Sequence, residues 1–289
     1  MRGLWQDLTD LVLPAECGGC GTPRTVLCPE CRAALSGAVP GRVRPEVEPP
    51  GLPVVHAAAP YVDEVRALLL AHKERGALGL SAPLGEALAR AVRAGLRAAA
   101  GRYGAMPGGD TAVLLVPVPS ARAAVRARGH DPARRIALAA AGELRRTGTP
   151  ARVLAALRQR RAVSDQSGLG AGQRLDNLAG ALAVASGAER LLRGGPVILV
   201  DDLMTTGASL TEAARAIRGA MARTEVLTTP VVYEGASREG RGERTVGATD
   251  RVAGRTGAGP EGRGADGTGT VICAAVVAAA PGSFEINRN

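Results

Sequence analysis

Aromatic side chains are scarce in this chain of 289 residues, which contains one Trp, three Tyr and one Phe. A hydrophobic core is still feasible because 46% of the residues are hydrophobic, but it must be built from Ala, Val and Leu. The scarcity counts against a single-stranded nucleic-acid binder that stacks bases on aromatic rings. Lysine is nearly absent too: Lys73 is the only one, and every other basic side chain is an arginine.

Long apolar segments are missing as well. No run approaches the roughly 20 apolar residues that a membrane-spanning helix needs. The first residues, MRGLWQDLTDLVLP, have leucines at helical spacing, but Asp7 and Asp10 interrupt the apolar part and there is no small-residue cleavage site. This segment therefore predicts a helix rather than a signal peptide. We expect a cytoplasmic protein without a membrane span, whose cysteines stay reduced.

The excess of positive charge is confined to one part of the chain. The formal net charge is +9. Residues 117–174 contain twelve arginines and three acidic residues, so this part carries the whole excess. A concentrated basic field attracts phosphates or nucleic acid, although a solvated arginine face has the same composition.

Four of the five cysteines lie close together in ECGGCGTPRTVLCPECRAAL. They form two C-x-x-C knuckles: Cys17, Cys20, Cys28 and Cys31. Two such knuckles supply a tetrahedral set of thiolates that suits Zn²⁺, and a closed set of four leaves no position for a substrate. We therefore expect a structural zinc site. Disulfides and an iron–sulfur cluster are the alternatives.

Apolar strands without alternation, separated by helices, predict an α/β fold with a parallel sheet buried on both faces. The predicted strands cover residues 54–61, 112–119, 153–159, 196–202 and 271–280. The predicted helices cover residues 63–76, 82–100, 132–148, 171–178 and 209–221. The domain boundaries follow: a helix and four-cysteine module at 1–36, a linker at 37–53, the main domain at 54–233, a Gly-rich flexible insertion at 234–270, and a last strand with a tail at 271–289.

The most informative stretch is VILVDDLMTTGASL, residues 197–210. In parallel sheets ligands bind beyond the carboxyl ends of the strands, where Asp201 and Asp202 are expected. The following turn, Met204–Ser209, leads into a helix, and backbone N–H groups at such a turn form a phosphate cradle. The carboxylates need a different partner, either vicinal sugar hydroxyls or a Mg²⁺ shared with a sugar. A ribose 5-phosphate group satisfies both halves.

This stretch resembles the ribose-phosphate signature of the type I phosphoribosyltransferases. The resemblance extends along the chain through the C-x-x-C pair, YVDEVRALLLAHKERG, LLVPVPSARAAVRARGHD and QSGLGAGQRLDN, which precede the signature in that order. Together these motifs resemble the ComF/GntX family of phosphoribosyltransferase-like proteins, over nearly all of residues 12–222 and the last strand. The resemblance implies a parallel-sheet, type I phosphoribosyltransferase-like fold with a small N-terminal zinc module of four cysteines.

The resemblance also assigns roles to single residues. Asp201 and Asp202 are expected to hold the ribose hydroxyls. Ser120, in PVPS, stands at the pyrophosphate loop, and Arg128 is the best candidate to neutralise the diphosphate. The residues of the 5′-phosphate loop are Thr205, Thr206, Gly207, Ala208 and Ser209.

Other positions of the resemblance are less specific. QSGLGAGQR stands where a mobile loop closes over substrate, and its candidate residues are Gln166, Ser167, Arg174 and Asn177. Asp131 stands where the family often has Asn, and before Pro132 it is also a plausible helix cap. His130 is a candidate base, although a lone histidine beside a loop is more often structural.

The implied function is binding of phosphoribosyl pyrophosphate with Mg²⁺, with transfer of the phosphoribosyl group to a nitrogen nucleophile as the reaction. The family is also associated with natural competence. One alternative is a regulatory protein that senses phosphoribosyl pyrophosphate without turning it over. The other alternative is a competence protein that binds single-stranded DNA during DNA uptake without catalytic turnover. The arginine-rich segment favours this alternative and the lack of aromatic residues counts against it.

Overall fold

The computed structural model describes residues 16–103, 111–161, 171–228 and 271–285. The predicted N-terminal helix, the Gly-rich insertion, and Gln166 and Ser167 of the predicted loop lie outside the described residues. The strands are β1 (Gly41–Val43), β2 (Val55–Pro60), β3 (Val113–Pro117), β4 (Ala151–Val153), β5 (Leu157–Gln159), β6 (Leu182–Val184), β7 (Val197–Met204) and β8 (Val271–Ala279). The α-helices are α1 (Pro29–Ser36), α2 (Asp63–Glu74), α3 (Ser81–Tyr103), α4 (Arg122–Arg128), α5 (Pro132–Arg146), α6 (Ala171–Leu178), α7 (Ala188–Leu192) and α8 (Ala208–Thr228).

The central sheet has the strand order β1-β2-β8-β7-β3-β4. Strands β2, β8, β7, β3 and β4 run parallel, and only the edge strand β1 pairs in the antiparallel direction. Strands β5 and β6 form a separate antiparallel pair. The predicted α/β class with a mostly parallel sheet is therefore confirmed.

Both faces of the sheet are covered, which is why its strands are apolar throughout. All five residues of β3 are buried, and so are the first four of β7. Helices α3 and α5 pack on one face, while α8 and the β5–β6 pair lie on the other. A strand buried on both faces needs apolar residues at every position, which explains the continuous runs in the sequence.

The predicted strand at 153–159 is wrong, because two short strands of different sheets occupy this region. β4 pairs with β3 in the central sheet, whereas β5 pairs with β6. Between them the Ala156 N–H donates to the Leu154 carbonyl at 2.8 Å, so the chain turns instead of continuing. The other four predicted strands and all five predicted helices are present in the described residues.

The chain leaves the two central strands in opposite directions. From β3 it passes through α4 and α5 to β4, on one side, and from β7 it passes through α8 toward β8, on the other. Adjacent strands with diverging connections form a topological switch point, where a crevice opens at the carboxyl ends. This crevice between β3 and β7 is where the predicted ligand-binding residues converge.

No helix in the described ranges is long and apolar enough to cross a membrane.

Candidate functional site

The acidic pair forms one wall of the crevice, because β7 extends beyond β3. The last bond between these strands is donated by the Val118 N–H to the Val200 carbonyl at 2.9 Å. On the other side β7 stays paired with β8 as far as Met204. The predicted strand end at residue 202 is therefore two residues too early, and Asp201 and Asp202 lie within the strand but past the end of its neighbour.

The two carboxylates have different environments. Asp202 is only 7% exposed, and its Oδ2 accepts a bond from Lys73 Nζ at 2.9 Å. Asp201 is partly exposed and its Oδ1 accepts the N–H of Asp202 at 2.9 Å. Burial and then the adjacent Asp202 charge raise the pKa of Asp201 well above its ordinary value. Burial opposes the charge on Lys73, but the attraction of Asp202 outweighs it and raises the pKa of the lysine.

The predicted phosphate loop is a tight turn between β7 and α8. Gly207 has φ +76°, a left-handed conformation that favours glycine. A Cβ on Gly207 would also come 3.0 Å from Leu52 Cδ1. The Gly207 carbonyl accepts bonds from the N–H and the hydroxyl of Thr211, at 2.9 and 3.0 Å, which fix the first turn of α8. The turn thus presents the N-terminus of a 21-residue helix beside the acidic pair.

The residues of the predicted phosphate loop lie in this turn and at the start of α8. Thr205 is exposed, while Thr206 and Ser209 are half-buried and Ala208 is buried as the first residue of α8. Arg174, on α6, approaches the turn with its Nη1 at 3.5 Å from Thr205 Oγ1. A cation is therefore present beside the predicted phosphate position.

On the β3 side, Ser120 lies just beyond the end of the strand. Its hydroxyl donates to Asp131 Oδ1 at 3.4 Å. Asp131 also accepts the Arg134 N–H at 3.2 Å as the N-cap of α5, so the predicted cap is confirmed. The chain segment after β3 is thereby tied to the start of α5.

Arg128 ends α4 close to the crevice, but it is not a free cation. Its Nε and Nη2 each donate to a carboxylate oxygen of Glu74 at 2.9 Å. Such a bidentate pair fixes the guanidinium plane. Arg122 and Arg126, on the same helix, are exposed.

The surroundings of the two histidines near the site indicate that both have structural roles. Both ring nitrogens of His130 lie 3.2 Å from backbone carbonyl oxygens, one of Arg128 and one of His72. His72 is completely buried, and burial together with the nearby His130 lowers its pKa to about 4. Both ring nitrogens face backbone carbonyls and so are not directed at a ligand, and the geometry does not favour His130 as a base.

Lys73 and Glu74 were missed by reasoning from the sequence. They are adjacent at the end of α2, and one contacts the acidic pair while the other contacts Arg128. Their partners are 129 and 54 residues away along the chain, so no local pattern links them. Two signals were available: both residues lie in the motif YVDEVRALLLAHKERG, and Lys73 is the single lysine of an arginine-rich chain.

The four predicted metal ligands come together as expected. The Sγ atoms of Cys17, Cys20, Cys28 and Cys31 all lie within 4.8 Å of one another. Tetrahedral Zn²⁺ with bonds of about 2.3 Å would bring them to about 3.8 Å apart. The cluster can therefore hold a metal ion, consistent with zinc.

The surroundings of the cysteine cluster also suit a metal. The N–H groups of Cys28 and Cys31 donate to the sulfurs of Cys17 and Cys28, each at 3.4 Å. Burial raises the pKa of Cys17, but the N–H of Cys28 and other backbone donors to its sulfur outweigh burial and lower that pKa to about 6. Burial and the neighbouring thiols raise the pKa of Cys31. Thiolates this close repel one another, and a divalent cation removes that repulsion.

The cysteine cluster is packed directly against α2. Gly18 lies so close to the helix that a Cβ would come 3.3 Å from the Cβ of Ala71. Arg75, at the C-cap of α2, donates from Nη2 to the Gly18 carbonyl at 3.2 Å. The cysteine cluster and the acidic crevice are thus joined by a single helix.

A separate cavity of about 450 Å³ lies between α6, α8 and residues 50–51. Of the predicted site residues, Ala208 alone is among those that line it. Its Glu212 and Arg215 are paired at 2.6 Å and also bond to the backbone of Leu182. These polar groups stabilise the fold through their bonds to each other and to the backbone. The crevice at the aspartates is therefore the stronger candidate site.

No protein-family model and no curated protein matches the chain. Its function must therefore be inferred from the crevice between β3 and β7 and from the cysteine cluster.

Proposed function

We propose that this chain is a phosphoribosyltransferase-like protein of the ComF/GntX type that binds phosphoribosyl pyrophosphate. One observation carries the proposal. The acidic pair and the glycine turn lie next to each other on the central strand, at the switch point between β3 and β7. A parallel sheet binds its ligand at this place.

The two halves of the ligand match the two parts of the site. Asp201 and Asp202 accept hydrogen bonds from the ribose hydroxyls, because carboxylates are acceptors only. The 5-phosphate lies in the turn Thr205–Ser209, where backbone N–H groups and the positive end of α8 favour an anion. Arg174 adds a cation beside Thr205.

The diphosphate lies toward the end of β3. Ser120 and the following backbone line this side, and Arg128 is the nearest arginine on α4. Arg128 must then exchange its bond with Glu74 for a bond with the ligand. Mg²⁺, which prefers phosphate and carboxylate oxygens, neutralises the diphosphate when bound.

The reaction that fits this site is displacement at the anomeric carbon of the ribose. A nitrogen nucleophile forms the new bond to that carbon while the bond to the diphosphate oxygen breaks, and pyrophosphate leaves with the electron pair. The described residues contribute by orienting the sugar and stabilising charge. The nucleophile loses its proton to solvent, since both nitrogens of His130 face carbonyl oxygens.

The cysteine cluster binds a structural zinc ion in this proposal. Four thiolates complete a tetrahedral shell, so no position is left for a reacting group. Three of the four cysteines are buried in the same core cluster as α2 and α3. The metal therefore supports the helix that carries Lys73.

The test is calorimetric binding of phosphoribosyl pyrophosphate with Mg²⁺. Asp201→Asn combined with Asp202→Asn should weaken binding at least about tenfold, because charge-assisted hydrogen bonds contribute about 1.5–3 kcal/mol. Asp176→Asn, on the exposed side of α6, is the matched control and should bind as the wild type does. Equal affinity for the wild type and the double variant would reject the site.

A second measurement separates an enzyme from a binding protein. Release of pyrophosphate with a panel of nucleobases indicates transfer, whereas binding without release indicates a sensor. Salt-dependent binding of a single-stranded oligonucleotide, in place of any binding of the sugar diphosphate, would favour the DNA-uptake alternative.

A further inference from the structure

Lys73 occupies an unusual position at the crevice. It lies in the last turn of α2, and its Nζ is 2.9 Å from Asp202 Oδ2. The Asp202 side chain is 9% exposed, while that of Lys73 is 34% exposed. The lysine thus reaches from the rim of the crevice to a carboxylate in its wall.

We propose that Lys73 is a positioning residue: a built-in counter-ion that offsets the negative charge of the acidic pair and orients Asp202, leaving one of its carboxylate oxygens for the ligand. The identity of that ligand, a ribose 5-phosphate group, rests on the proposed function. The role as counter-ion does not, because it concerns the protein alone.

A counter-ion is needed because two carboxylates are adjacent in a poorly solvated place. Burial and like charge both favour protonation. The raised pKa of Asp201 shows this penalty even with the lysine present. A protonated carboxyl accepts fewer hydrogen bonds, so loss of the cation would weaken a site built to accept sugar hydroxyls.

The other charged groups around the pair are otherwise engaged. Glu74 and Arg128 bind each other through two bonds of 2.9 Å. His72 is buried, and its lowered pKa keeps it neutral near pH 7. His130 is directed at carbonyl oxygens. Among the described side chains, Lys73 is therefore the cation in direct contact with Asp202.

The role proposed for Lys73 also explains why a chain so rich in arginine has a lysine at this position. Every other basic side chain is arginine. A guanidinium tends to bind both oxygens of a carboxylate, whereas an ammonium acts as a point charge. The Lys73 ammonium contacts Oδ2 of Asp202 and not Oδ1, so the lysine itself leaves the second oxygen for a ligand hydroxyl.

The helix that carries the lysine is held firmly. Leu68 and Ala71 of α2 are buried in the core cluster that includes the cysteines. Arg75 fixes the end of α2 to the Gly18 carbonyl. The ammonium is thus placed by a packed helix rather than by a loop.

The first test uses ligand-free protein with ¹³C-labelled aspartate carboxyls, titrated by NMR. Lys73→Gln should raise the titration midpoint of the Asp201–Asp202 pair by about 1–3 pH units, the usual effect of losing an opposite charge at this range. Lys73→Arg should keep the midpoint near that of the wild type. Arg66→Gln removes a charge from an exposed position of the same helix and is the control. An unchanged midpoint in Lys73→Gln would overturn the proposal.

The second test measures ribose 5-phosphate affinity by calorimetry near pH 5.5 and near pH 8. The phosphate of the ligand also titrates in this pH range, but it affects both proteins equally. The ratio of wild-type to Lys73→Gln affinity therefore reports only the effect of the lysine. This ratio should be about tenfold at the lower pH and near one at the higher pH, because the aspartates regain their charge as the pH rises. Lys73→Arg should bind more weakly than the wild type by a similar factor at both pH values, since its guanidinium covers the second oxygen.

Two outcomes of the affinity test count against the proposal. A pH-independent loss in Lys73→Gln would indicate a purely structural lysine or one that contacts phosphate directly. Full affinity in Lys73→Arg would show that the second oxygen is not used. If the wild type binds no ribose 5-phosphate, the proposed function fails, while the carboxyl titration still decides the role of Lys73.

Discussion

The cysteine cluster and the acidic crevice are both groups of anionic side chains packed near α2, yet they are built in opposite ways. The cysteines form a closed shell from residues 17–31, with their sulfurs within 4.8 Å of one another. The acidic pair faces an open crevice, and its counter-ion comes from a residue 129 positions away. A closed shell can hold an ion and little else, whereas an open wall can receive a ligand.

This difference should appear in stability. A metal-bound cluster lowers the free energy of the folded state, because its binding energy is also folding energy. Adjacent partly buried carboxylates raise that free energy and persist where they serve a function. Substitution should therefore destabilise the first region and stabilise the second.

The largest expected effect is loss of the metal. Cys17→Ser combined with Cys28→Ser should abolish binding of one zinc per chain and lower the free energy of unfolding by at least about 4 kcal/mol. Metal analysis and chemical denaturation measure the two effects. Cys273→Ala, which alters a buried cysteine in β8, is the control and should keep the metal. A metal analysis that finds no metal in the wild-type protein would contradict the predicted zinc site.

The next effect concerns the glycine turn. Gly207→Ala should lower the free energy of unfolding by about 1–2 kcal/mol, because an L-residue is strained at positive φ. Gly142→Ala, in the middle of α5 with open space around it, should instead raise stability by about 0.5–1 kcal/mol. Thermal unfolding of the two variants checks the opposite signs. Stabilisation by Gly207→Ala would contradict the geometry of the turn.

At the acidic pair we expect a smaller change in the free energy of unfolding, and of the opposite sign: substitution should stabilise the protein. The folded-state pKa of Asp201 is raised, so its favourable contribution is present below the unfolded pKa of 3.8 and is lost as the pH rises through the folded pKa. Asp201→Asn should therefore raise the free energy of unfolding near pH 7–8 by about 1 kcal/mol, the usual scale of stabilising changes. The gain should grow with pH above 3.8.

Denaturation at several pH values measures this gain. The carbonyl oxygen of asparagine preserves the hydrogen bond from the Asp202 N–H, so the comparison isolates the charge. Asp176→Asn should leave the pH profile unchanged. A loss of stability in Asp201→Asn at neutral pH would show that the acidic pair supports the fold, as the cysteines do.

The smallest effect belongs to the exposed arginines of α4. Arg122→Gln with Arg126→Gln should slow or weaken binding of phosphoribosyl pyrophosphate by only about two- to fivefold, and the effect should fade as salt is added. Arg152→Gln, exposed on β4, is a single-charge control. A loss confined to oligonucleotide binding would instead connect α4 with DNA.

The parts of the molecule that the sequence predicts are those encoded by local patterns. The spacing of the cysteines identifies the metal cluster, and the apolar runs identify β2, β3, β7 and β8. The acidic pair and Gly207 follow from their place after such a run. In each case neighbours along the chain are sufficient, because the period of the backbone fixes where the side chains point.

The parts that were not predicted depend on distant contacts or leave a weak pattern. β1 and β6 are three residues long, and α4 has no buried residue, so it lacks an apolar stripe. The pairs Lys73–Asp202 and Glu74–Arg128 join residues from separate helices and strands. They exist because the tertiary structure brings the end of α2 beside β7 and α4.

A crystal structure with phosphoribosyl pyrophosphate and Mg²⁺ tests the central claim most directly. We expect the 5-phosphate within about 3 Å of N–H groups in the turn Thr205–Ser209, and ribose hydroxyls within about 3 Å of Asp201 and Asp202. Lys73 should remain on Oδ2 of Asp202. Sugar diphosphate bound elsewhere, such as in the cavity beside Arg215 and Arg218, with the crevice empty, would contradict the account.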